Sequence, residues 1–386
     1  MAAPAKAFAH ESLVIGKTEE DQQRNAVLLS GYDYARYEEA LTGFTGQDLQ
    51  RVGSVKWMPA VRTRVGSRGN CKAGFARLPD GDLVVAPFRA NMDSLAETKR
   101  FEMSIYRSTD LGLSWKKLEH TPLIGKEPSL AALPDGTLVL SAQYGLIGPS
   151  AKRDQQPVYR SRDGGRTWQT FFYQSTDYPR NLFVEKDGSL LMVVSVKNDW
   201  YGTGTGSPNL LVCRSQDAGA TWSQSEGVVA WDWAGFGENA VIRLKDDRLV
   251  AAFRRQIPGT RGEGFEDSVV TESVDDGKTW STPRILVPTA SVHAYLTQLQ
   301  DDRVLCTYSN YHVPWGVSAV LSSDGGKSWD LENTIRLSVS NGYWVGWPVT
   351  LQLPDKSLIT SYATTAYFDT KAQGVTCEVV RWRLPR

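Results

Sequence analysis

A repeated octapeptide constrains the fold of this 386-residue chain more than any other feature. Its pattern is S-x-D-x-G-x-[ST]-W. The five copies are STDLGLSW (108–115), SRDGGRTW (161–168), SQDAGATW (215–222), SVDDGKTW (273–280) and SSDGGKSW (322–329). Because one turn-forming sequence recurs at a nearly regular spacing, the chain is expected to consist of repeated structural units.

A second repeated element raises the number of units to six. It is a turn similar to L-P-D-G, and its aspartates are Asp80, Asp135, Asp187, Asp246, Asp301 and Asp355. Short apolar strands flank each turn, and Asp-Gly dipeptides suit tight hairpins. Four antiparallel strands in about 55 residues make one propeller blade. The sequence therefore predicts an all-β fold, a six-bladed β-propeller of four-stranded antiparallel blades.

The sixth unit lacks the octapeptide, so its outer strand must come from the N-terminal region. The candidates are residues 11–17 and 54–61. Joining the two ends of the chain in one blade would remove free strand edges. We therefore expect residues 1–60 to form an N-terminal extension with the ring-closing strand and a short helix at about 33–49. Residues 61–386 are expected to form the propeller.

The octapeptide itself is predicted to be structural. Its Asp can fix the turn through local hydrogen bonds, its Gly supplies a positive φ, and its Trp packs back between blades. A turn motif present in five blades is not expected to form five catalytic sites. The residues that carry function must therefore be sought elsewhere in each repeat.

Composition excludes several partners and gives no sign of a metal or cofactor. The 43 basic and 43 acidic residues balance, so neither nucleic acid nor an anionic membrane surface is expected as a partner. No apolar run approaches the roughly 20 residues of a membrane span. Histidine and cysteine are few and do not cluster, which predicts no metal site, and no cofactor is expected. The start MAAPAKAFAH lacks the apolar core of a signal peptide, so a secreted or periplasmic location requires a processed N-terminus.

Repeat equivalence predicts where a ligand pocket lies. A propeller binds ligands at one end of its central channel, where the innermost strands begin. Counting eight residues back from each turn aspartate gives Lys72, Glu127, Pro179, Glu238, His293 and Trp347. Five of these six are polar or large aromatic residues, whereas a purely structural ring would favour small or apolar ones. We therefore predict that this ring lines a pocket.

A second ring comes from the position eight residues after each turn aspartate. Its members are Phe88, Gln143, Ser195, Arg254, Ser309 and Ala363. Arg254 follows Glu238 in the same blade, so both are expected to face one cavity. An arginine and a glutamate that converge in a partly dry site perturb each other and mark a functional candidate, with a structural ion pair as the alternative.

The octapeptides resemble the Asp-boxes of the sialidase superfamily, and the resemblance covers about residues 60 to 385. A more specific match is the segment ENAVIRLKDDRLVAAFR, from Glu238 to Arg254. The resemblance implies a six-bladed propeller glycosidase in which Glu238 polarises a tyrosine nucleophile. It also implies that Arg254 belongs to an arginine triad that grips the carboxylate of sialic acid, and that Asp93 on a blade-one loop is the acid/base.

Three positions depart from the sialidase pattern. The first arginine of the triad is replaced by Lys72, with Arg68 four residues earlier, and the third by Ser318. Trp347 stands at the place of the catalytic tyrosine, with Tyr343 four residues upstream. Tryptophan cannot serve as the nucleophile, because its indole offers only an N–H donor. Another terminal sugar is therefore expected at least as readily as sialic acid.

Glycoside hydrolysis usually needs two carboxyl groups that flank the glycosidic bond. We predict Glu238, Glu127 and Asp93 as the catalytic candidates. Because Glu127 and Glu238 are two blades apart, we expect them to face each other obliquely across the cavity, a wide spacing that suits an inverting mechanism. A Glu whose pKa is raised by an apolar site could act as the acid. The candidates for substrate binding are Arg254, Lys72, Arg68, His293, Trp347, Tyr343, His312 and Arg180.

The leading functional hypothesis is an exo-acting glycoside hydrolase with carboxylate acid/base catalysis, acting on a glycan. The terminal sugar is expected to be acidic if Arg254, Lys72 and Arg68 converge. Two alternatives stay open on the same fold. The first is a polysaccharide lyase that pairs His293 or His312 with Tyr343 or Tyr311, and the second is a non-catalytic glycan-binding propeller.

Overall fold

The computed structural model describes residues 60–66, 69–90, 101–144, 154–175, 177–195, 210–223, 227–228, 235–256, 266–288, 291–311, 315–340, 345–365 and 375–384. All regular elements in these ranges are β-strands, and they form six separate sheets. The predicted all-β, six-bladed propeller is therefore confirmed. The helix expected at about 33–49 lies outside the described residues, and the division into an extension and a propeller domain stays a prediction.

Each blade is an antiparallel sheet with four strand positions, numbered outward from the central channel. From the first blade to the sixth, the inner strands are β2 (Asn70–Arg77), β8 (Lys126–Ala132), β12 (Tyr178–Val184), β16 (Gly235–Arg243), β20 (Ser291–Gln298) and β24 (Gly346–Gln352). The second strands are β3 (Leu83–Ala90), β9 (Leu138–Gln143), β13 (Leu190–Ser195), β17 (Leu249–Gln256), β21 (Val304–Asn310) and β25 (Leu358–Thr365).

The third and outer positions are each split into two short strands in the first blade. The third strands are β4 (Phe101–Met103) with β5 (Tyr106–Ser108), then β10 (Gln155–Ser161), β14 (Leu210–Ser215), β18 (Glu266–Ser273), β22 (Gly316–Ser322) and β26 (Val375–Trp382). The outer strands are β6 (Lys116–Lys117) with β7 (Leu123–Ile124), then β11 (Gln169–Gln174), β15 (Gly227–Val228), β19 (Arg284–Val287), β23 (Ile335–Val339) and, in the sixth blade, β1 (Ala60–Val65).

The two ends of the described chain meet in the sixth blade. Strand β1 pairs antiparallel with β26, from Ala60 opposite Trp382 to Val65 opposite Cys377. The outer strand of the last blade therefore precedes the first blade in sequence, as predicted. Only the last two residues of the candidate 54–61 lie in this strand, and the other candidate, 11–17, lies outside the described residues.

Apolar side chains form six clusters, and each cluster lies between two neighbouring blades. Five of the clusters include or contact the tryptophan of an octapeptide, namely Trp115, Trp168, Trp222, Trp280 and Trp329. The cluster between the fifth and sixth blades contains Trp382 of β26, which is 1% exposed. The predicted packing of the octapeptide tryptophans between blades is confirmed, and Trp382 fills the interface that has no octapeptide.

The octapeptide forms the turn that its sequence predicts. In the second blade, the backbone N–H of Gly165 donates to Ser161 Oγ at 2.9 Å, and Ser161 Oγ donates to Asp163 Oδ1 at 2.8 Å. Asp163 also accepts the backbone N–H of Thr167 at 2.9 Å and its hydroxyl at 2.6 Å. Gly165 has a φ of 97°, which glycine adopts without steric cost. The aspartate therefore stabilises the turn through local hydrogen bonds, as predicted.

These turns make the propeller sensitive to acid. Partial burial acts to raise the pKa of Asp163, but hydrogen bonds from Thr167 and Ser161 outweigh it and hold that pKa at about 2. The unfolded value is about 3.9, so this carboxylate stabilises the fold above that pH and loses its contribution as the pH falls towards 2. We expect the thermal unfolding midpoint to drop between about pH 4 and pH 2.

Thermal unfolding of Asp163→Asn at pH 6 and pH 2 checks this dependence. The variant lacks the carboxylate, so it should unfold at a lower temperature than the parent at pH 6 and lose less stability on acidification. An equal acid-induced loss in the two proteins would contradict the role assigned to the turn carboxylate.

Candidate active site

All six inner strands are interrupted by a β-bulge near their first residues. The pairing with the second strand shifts between Cys71 and Ala73, Lys126 and Ser129, Pro179 and Asn181, Gly237 and Asn239, Val292 and Tyr295, and Gly346 and Val349. A bulge leaves at least one residue unpaired and re-aims its side chain. Each blade thus turns one side chain towards the central channel at the same level.

The six bulge residues line a single cavity at one end of the channel. They are Lys72, Glu127, Arg180, Glu238, His293 and Trp347. The space between these side chains, counted out into the open solvent at its mouth, is about 510 Å³. Four of the six, all except Arg180 and Glu238, have positive φ angles, between 33° and 55°. Such conformations are costly for residues other than glycine and concentrate at functional sites.

The ring predicted from the repeat matches the bulge residues in five blades and is wrong in the third. There the residue that lines the cavity is Arg180, whereas the count of eight gave Pro179. The unpaired residue of β12 is Arg180, which stands seven residues before Asp187, whereas the cavity residue of each other inner strand stands eight residues before its turn aspartate. Arg180 is one of the predicted substrate-binding residues, and its side chain lines the cavity.

Lys72 stands at the centre of the charged groups. Its Nζ lies 2.8 Å from Glu127 Oε2 and 3.7 Å from Glu238 Oε1. It also lies 4.7 Å from the centre of the Trp347 ring. The two glutamates therefore converge on one ammonium group. These two oxygens can be no farther apart than the sum of the two distances to Nζ, which reaches only the lower end of the spacing typical of inverting enzymes, so the expected wide placement stays a prediction.

Glu127 is held by three donors on one oxygen. Its Oε2 accepts hydrogen bonds from Arg180 and from Gln143 Nε2, the latter at 3.0 Å, in addition to the contact with Lys72. Burial acts to raise the pKa of Glu127, but the charges of Lys72 and Arg180 outweigh it and hold the pKa at about 2. This carboxylate is therefore ionised and fixed in position.

Glu238 has looser contacts than Glu127. Its Oε2 accepts a hydrogen bond from Arg254 Nη1 at 3.1 Å, and its Oε1 lies 3.4 Å from His293 Nε2. Burial acts to raise the pKa of Glu238, but its interactions with His293, Arg254 and Lys72 keep it well below its usual range. Neither glutamate thus has the raised pKa that the sequence suggested for a carboxylic acid donor.

Arg254 pairs with Glu238, as the repeat predicted, but it does not line the cavity. It contacts Glu238 from the neighbouring strand β17, so it orients the carboxylate from behind. The predicted direct contact of Arg254 with a substrate therefore depends on the approach of the ligand and stays a prediction.

His293 is buried between Glu238 and a serine. Its Nδ1 lies 2.6 Å from Ser309 Oγ, and this oxygen also accepts the backbone N–H of Trp347 at 3.2 Å. Burial lowers the pKa of His293 to about 4, so the imidazole is neutral at physiological pH. If Ser309 donates to Nδ1, the proton of the neutral ring is on Nε2 and faces Glu238. Gly346 permits this arrangement, because a Cβ there would lie 1.6 Å from Ser309 Oγ.

The second predicted ring, eight residues after each turn aspartate, does not line the cavity but contacts the bulge residues that do. In four blades a residue of the second ring contacts the bulge residue of its own blade. The pairs are Gln143 with Glu127, Ser195 with Arg180, Arg254 with Glu238, and Ser309 with His293. Gln143, Ser195 and Ser309 were absent from the predicted site, although the repeat count that found the second ring had already placed them.

Four predicted site residues lie outside the described residues, namely Asp93, Arg68, Tyr343 and His312. Their place in the site stays a prediction. Tyr311 is described, and its ring centre lies 5.7 Å from that of His293. Ser318, at the position of the third triad arginine, is fully buried in β22.

The described residues contain no group of three or more His, Cys, Asp or Glu side chains placed to bind a metal ion. The part of the chain that the structure describes also has no helix with the length and apolarity of a membrane span.

Comparison with known proteins matches one repeat motif and one distant relative. Residues 159–170 match the BNR/Asp-box repeat. A xyloglucanase from Paenibacillus sp is 24% identical over 204 residues, and the matched region covers 46% of this chain. The chain spans only 18% of the length of that relative.

Solved structures share the propeller. A protein of unknown function from Dyadobacter fermentans superimposes with a TM-score of 0.63 at 20% identity, over 83% of this chain and 96% of the other. An alpha-L-arabinanase from Penicillium chrysogenum has a TM-score of 0.58 at 16% identity, over 81% and 93%. The NanB sialidase from Streptococcus pneumoniae has a TM-score of 0.57 at 11% identity, over 88% and 73%. The chain therefore shares its propeller fold with these three proteins.

Proposed function

We propose that the protein is an exo-acting glycoside hydrolase that removes a terminal sugar from a glycan. The observation that carries this proposal is the convergence of Glu127 and Glu238 in one cavity walled by a side chain from every blade. Glycosidases use a pair of carboxyl groups at the scissile bond. A cavity enclosed by six inner strands admits the end of a glycan and not a continuous chain, which favours exo action.

Glu238 is the proposed base of the reaction. Its nearest contacts, at 3.1 to 3.7 Å, are longer than those of Glu127, so it is freer to exchange a contact for a water or a sugar. Its low pKa keeps it ionised at neutral pH, as a group that takes a proton must be. Glu127 is proposed to fix Lys72 and Arg180 around the bound sugar.

The charges around the cavity favour an acidic sugar. Lys72, Arg180 and Arg254 are cations, the two glutamates are anions, and His293 is neutral, so positive charge is in excess. Trp347 lies against His293 with ring centres 4.4 Å apart, and such aromatic faces suit the C–H face of a sugar. The names of the similar proteins, which include a sialidase, an arabinanase and a xyloglucanase, support glycan cleavage in general.

A lyase reaction through His293 and Tyr311 is less well supported. A neutral histidine could act as a base, but both ring nitrogens of His293 already face partners, Ser309 Oγ on one side and Glu238 on the other. No lone pair of the imidazole is therefore left for a substrate proton in this arrangement.

A screen of glycosides and natural glycans tests the proposed function. The panel should contain 4-methylumbelliferyl glycosides of acidic sugars, N-acetylneuraminic and glucuronic acid, and of neutral sugars, arabinose and xylose. We expect release of a single monosaccharide from chain ends, with an acidic sugar preferred. Internal oligosaccharide products would contradict exo action, and new ultraviolet absorbance from a C=C bond would identify a lyase. Binding of glycans without turnover on any substrate would identify a binding propeller.

A further inference from the structure

Hydrolysis of a glycoside needs a proton for the departing oxygen, and the described residues of the cavity offer few sources. Glu127 and Glu238 are ionised because their pKa values are low. His293 is neutral, because its pKa is about 4. Arginine does not release its proton in proteins, which excludes Arg180 and Arg254. Two described residues that line the cavity keep a labile proton, namely Tyr295, whose pKa burial raises to about 12, and Lys72. Of these two, Lys72 is the one whose ion-pair contacts reach both carboxylates.

The backbone aims Lys72 at the reaction site. It is the unpaired residue of the β2 bulge, with a φ of 33°, and its side chain is 12% exposed. Its Nζ lies within ion-pair distance of both glutamates and 4.7 Å from the centre of the Trp347 ring. The charged and titratable groups around Lys72 and its two carboxylates are Cys71 on β2, Lys126 and Glu127 on β8, Arg180 on β12, Glu238 on β16, Arg254 on β17 and His293 on β20.

We propose that Lys72 is the proton donor of the hydrolase, a role that rests on the proposed function. Its ammonium group gives a proton to the glycosidic oxygen while the bond from that oxygen to the anomeric carbon breaks, and the bonding electron pair stays on the oxygen. Glu238 takes a proton from the water whose oxygen bonds to the anomeric carbon. Transfer of that proton from Glu238 to the neutral amine of Lys72 restores both groups, so the cycle needs no other reactant.

The surroundings of Lys72 make its ammonium a better acid than a lysine in water. Burial lowers the pKa of Lys72 below its usual value, although the charges of Glu127 and Glu238 act to raise it. A donor is most effective when its pKa approaches the working pH. Burial thus adjusts Lys72 in the direction that proton donation requires.

Leaving groups of different acidity test this role. The sugar that the screen identifies is offered as two substrates. The leaving group of its 2,4-dinitrophenyl glycoside departs without protonation, whereas the leaving group of its methyl glycoside must be protonated. For both Lys72→Arg and Lys72→Met, we expect kcat/KM on the methyl glycoside to fall about 10²–10⁴-fold. On the dinitrophenyl glycoside, kcat/KM of the Lys72→Arg variant should stay within roughly tenfold of the parent value, because arginine keeps the positive charge between the glutamates.

The pH profile gives a second readout. With the methyl glycoside, the activity of the parent should fall as the pH rises, because Lys72 loses its proton. Lys72→Arg acting on the dinitrophenyl glycoside should not show this fall at alkaline pH. The matched control is Lys116→Met. Lys116 is exposed on β6 and does not line the cavity, so this variant should treat both substrates as the parent does.

The outcomes separate this role from the proposed function. Equal losses on both substrates in the two Lys72 variants would show that Lys72 only binds the sugar, and would overturn its role as donor while the hydrolase survives. A leaving-group-dependent loss in Asp93→Asn but not in Lys72→Arg would assign the proton to a carboxylic acid instead. A parent without turnover on the whole panel would overturn the proposed function and, with it, the role of Lys72.

Discussion

Glu238→Gln should turn over the preferred glycoside about 10²–10⁴-fold more slowly than the parent. Glutamine has nearly the shape of glutamate and can still accept the hydrogen bond from Arg254, but it cannot take a proton from water. The loss should therefore appear in kcat, with KM changed little, since an interaction made only in the transition state is removed. Steady-state kinetics on the best substrate of the screen measures both constants.

Glu102→Gln is the matched control for this variant. Glu102 is exposed on β4, outside the cavity, so the same chemical change there should leave both constants at the parent values. Thermal unfolding of each variant separates a loss of chemistry from a loss of folded protein. If Glu238→Gln equalled the parent on every active substrate, Glu238 would not be the base. A raised KM at constant kcat would reassign Glu238 to binding.

Arg62→Met should destabilise the propeller by about 3–5 kcal/mol, as expected when one partner of a buried charged network is removed. Arg62 lies in β1 and is 1% exposed. It donates to the hydroxyl of Tyr362 at 2.7 Å and to the backbone oxygen of Leu337 in β23, and the Tyr362 hydroxyl donates to Glu378 Oε2 at 2.8 Å. One side chain thus joins the closing strand to the fifth and sixth blades. Urea unfolding of parent and variant gives the difference.

The penalty for Arg62→Met should depend on pH. Burial raises the pKa of Glu378, and the charge of Arg62 acts against this rise. A carboxyl group with a raised folded pKa destabilises the fold above its unfolded pKa, about 4.3, and ceases to do so below it. Without Arg62 this cost grows, so the variant should lose more stability at pH 8 than at pH 4.

Two further variants check the network. Arg62→Met combined with Glu378→Gln should recover part of the loss at neutral pH, because the uncompensated carboxylate is gone. Arg381→Met removes a more exposed arginine that pairs with Asp355 at 2.9 Å, and should cost no more than about 1 kcal/mol. Equal penalties for Arg62→Met and Arg381→Met would mean that the buried arginine does not hold the ring closed.

The fold was predictable because its repeats are visible without side-chain contacts. Turn aspartates at a nearly constant spacing give the number of blades, and the missing sixth octapeptide shows that the last blade needs a strand from the other end of the chain. The bounds of that strand were less accessible. The pattern of Ala60–Val65 is not distinctive in the sequence, and its place is set by pairing with a strand more than 300 residues later.

The site was predictable to the extent that it follows the repeat. The count found five bulge residues and missed Arg180, since the place of the unpaired residue in β12, seven residues before the turn aspartate and not eight, is invisible until the strands are paired. The sharing of Lys72 between Glu127 and Glu238 could not be read from spacing, because it depends on how far three side chains reach into the channel. The low pKa of Glu127 depends first on Lys72, and that of Glu238 on His293, Arg254 and Lys72, so both were equally hidden.

The six bulges have a consequence for how such a pocket is inherited and redesigned. The side chain at a bulge has no pairing partner in the sheet, and its neighbours pack in interfaces that do not depend on its identity. One codon per blade therefore specifies the bulge side chain that faces the cavity, and in four blades a second codon specifies the residue that supports it. A library that randomises the six bulge codons together with these four would sample new ligand preferences, and duplication of a blade during evolution supplies one more bulge codon that can diverge.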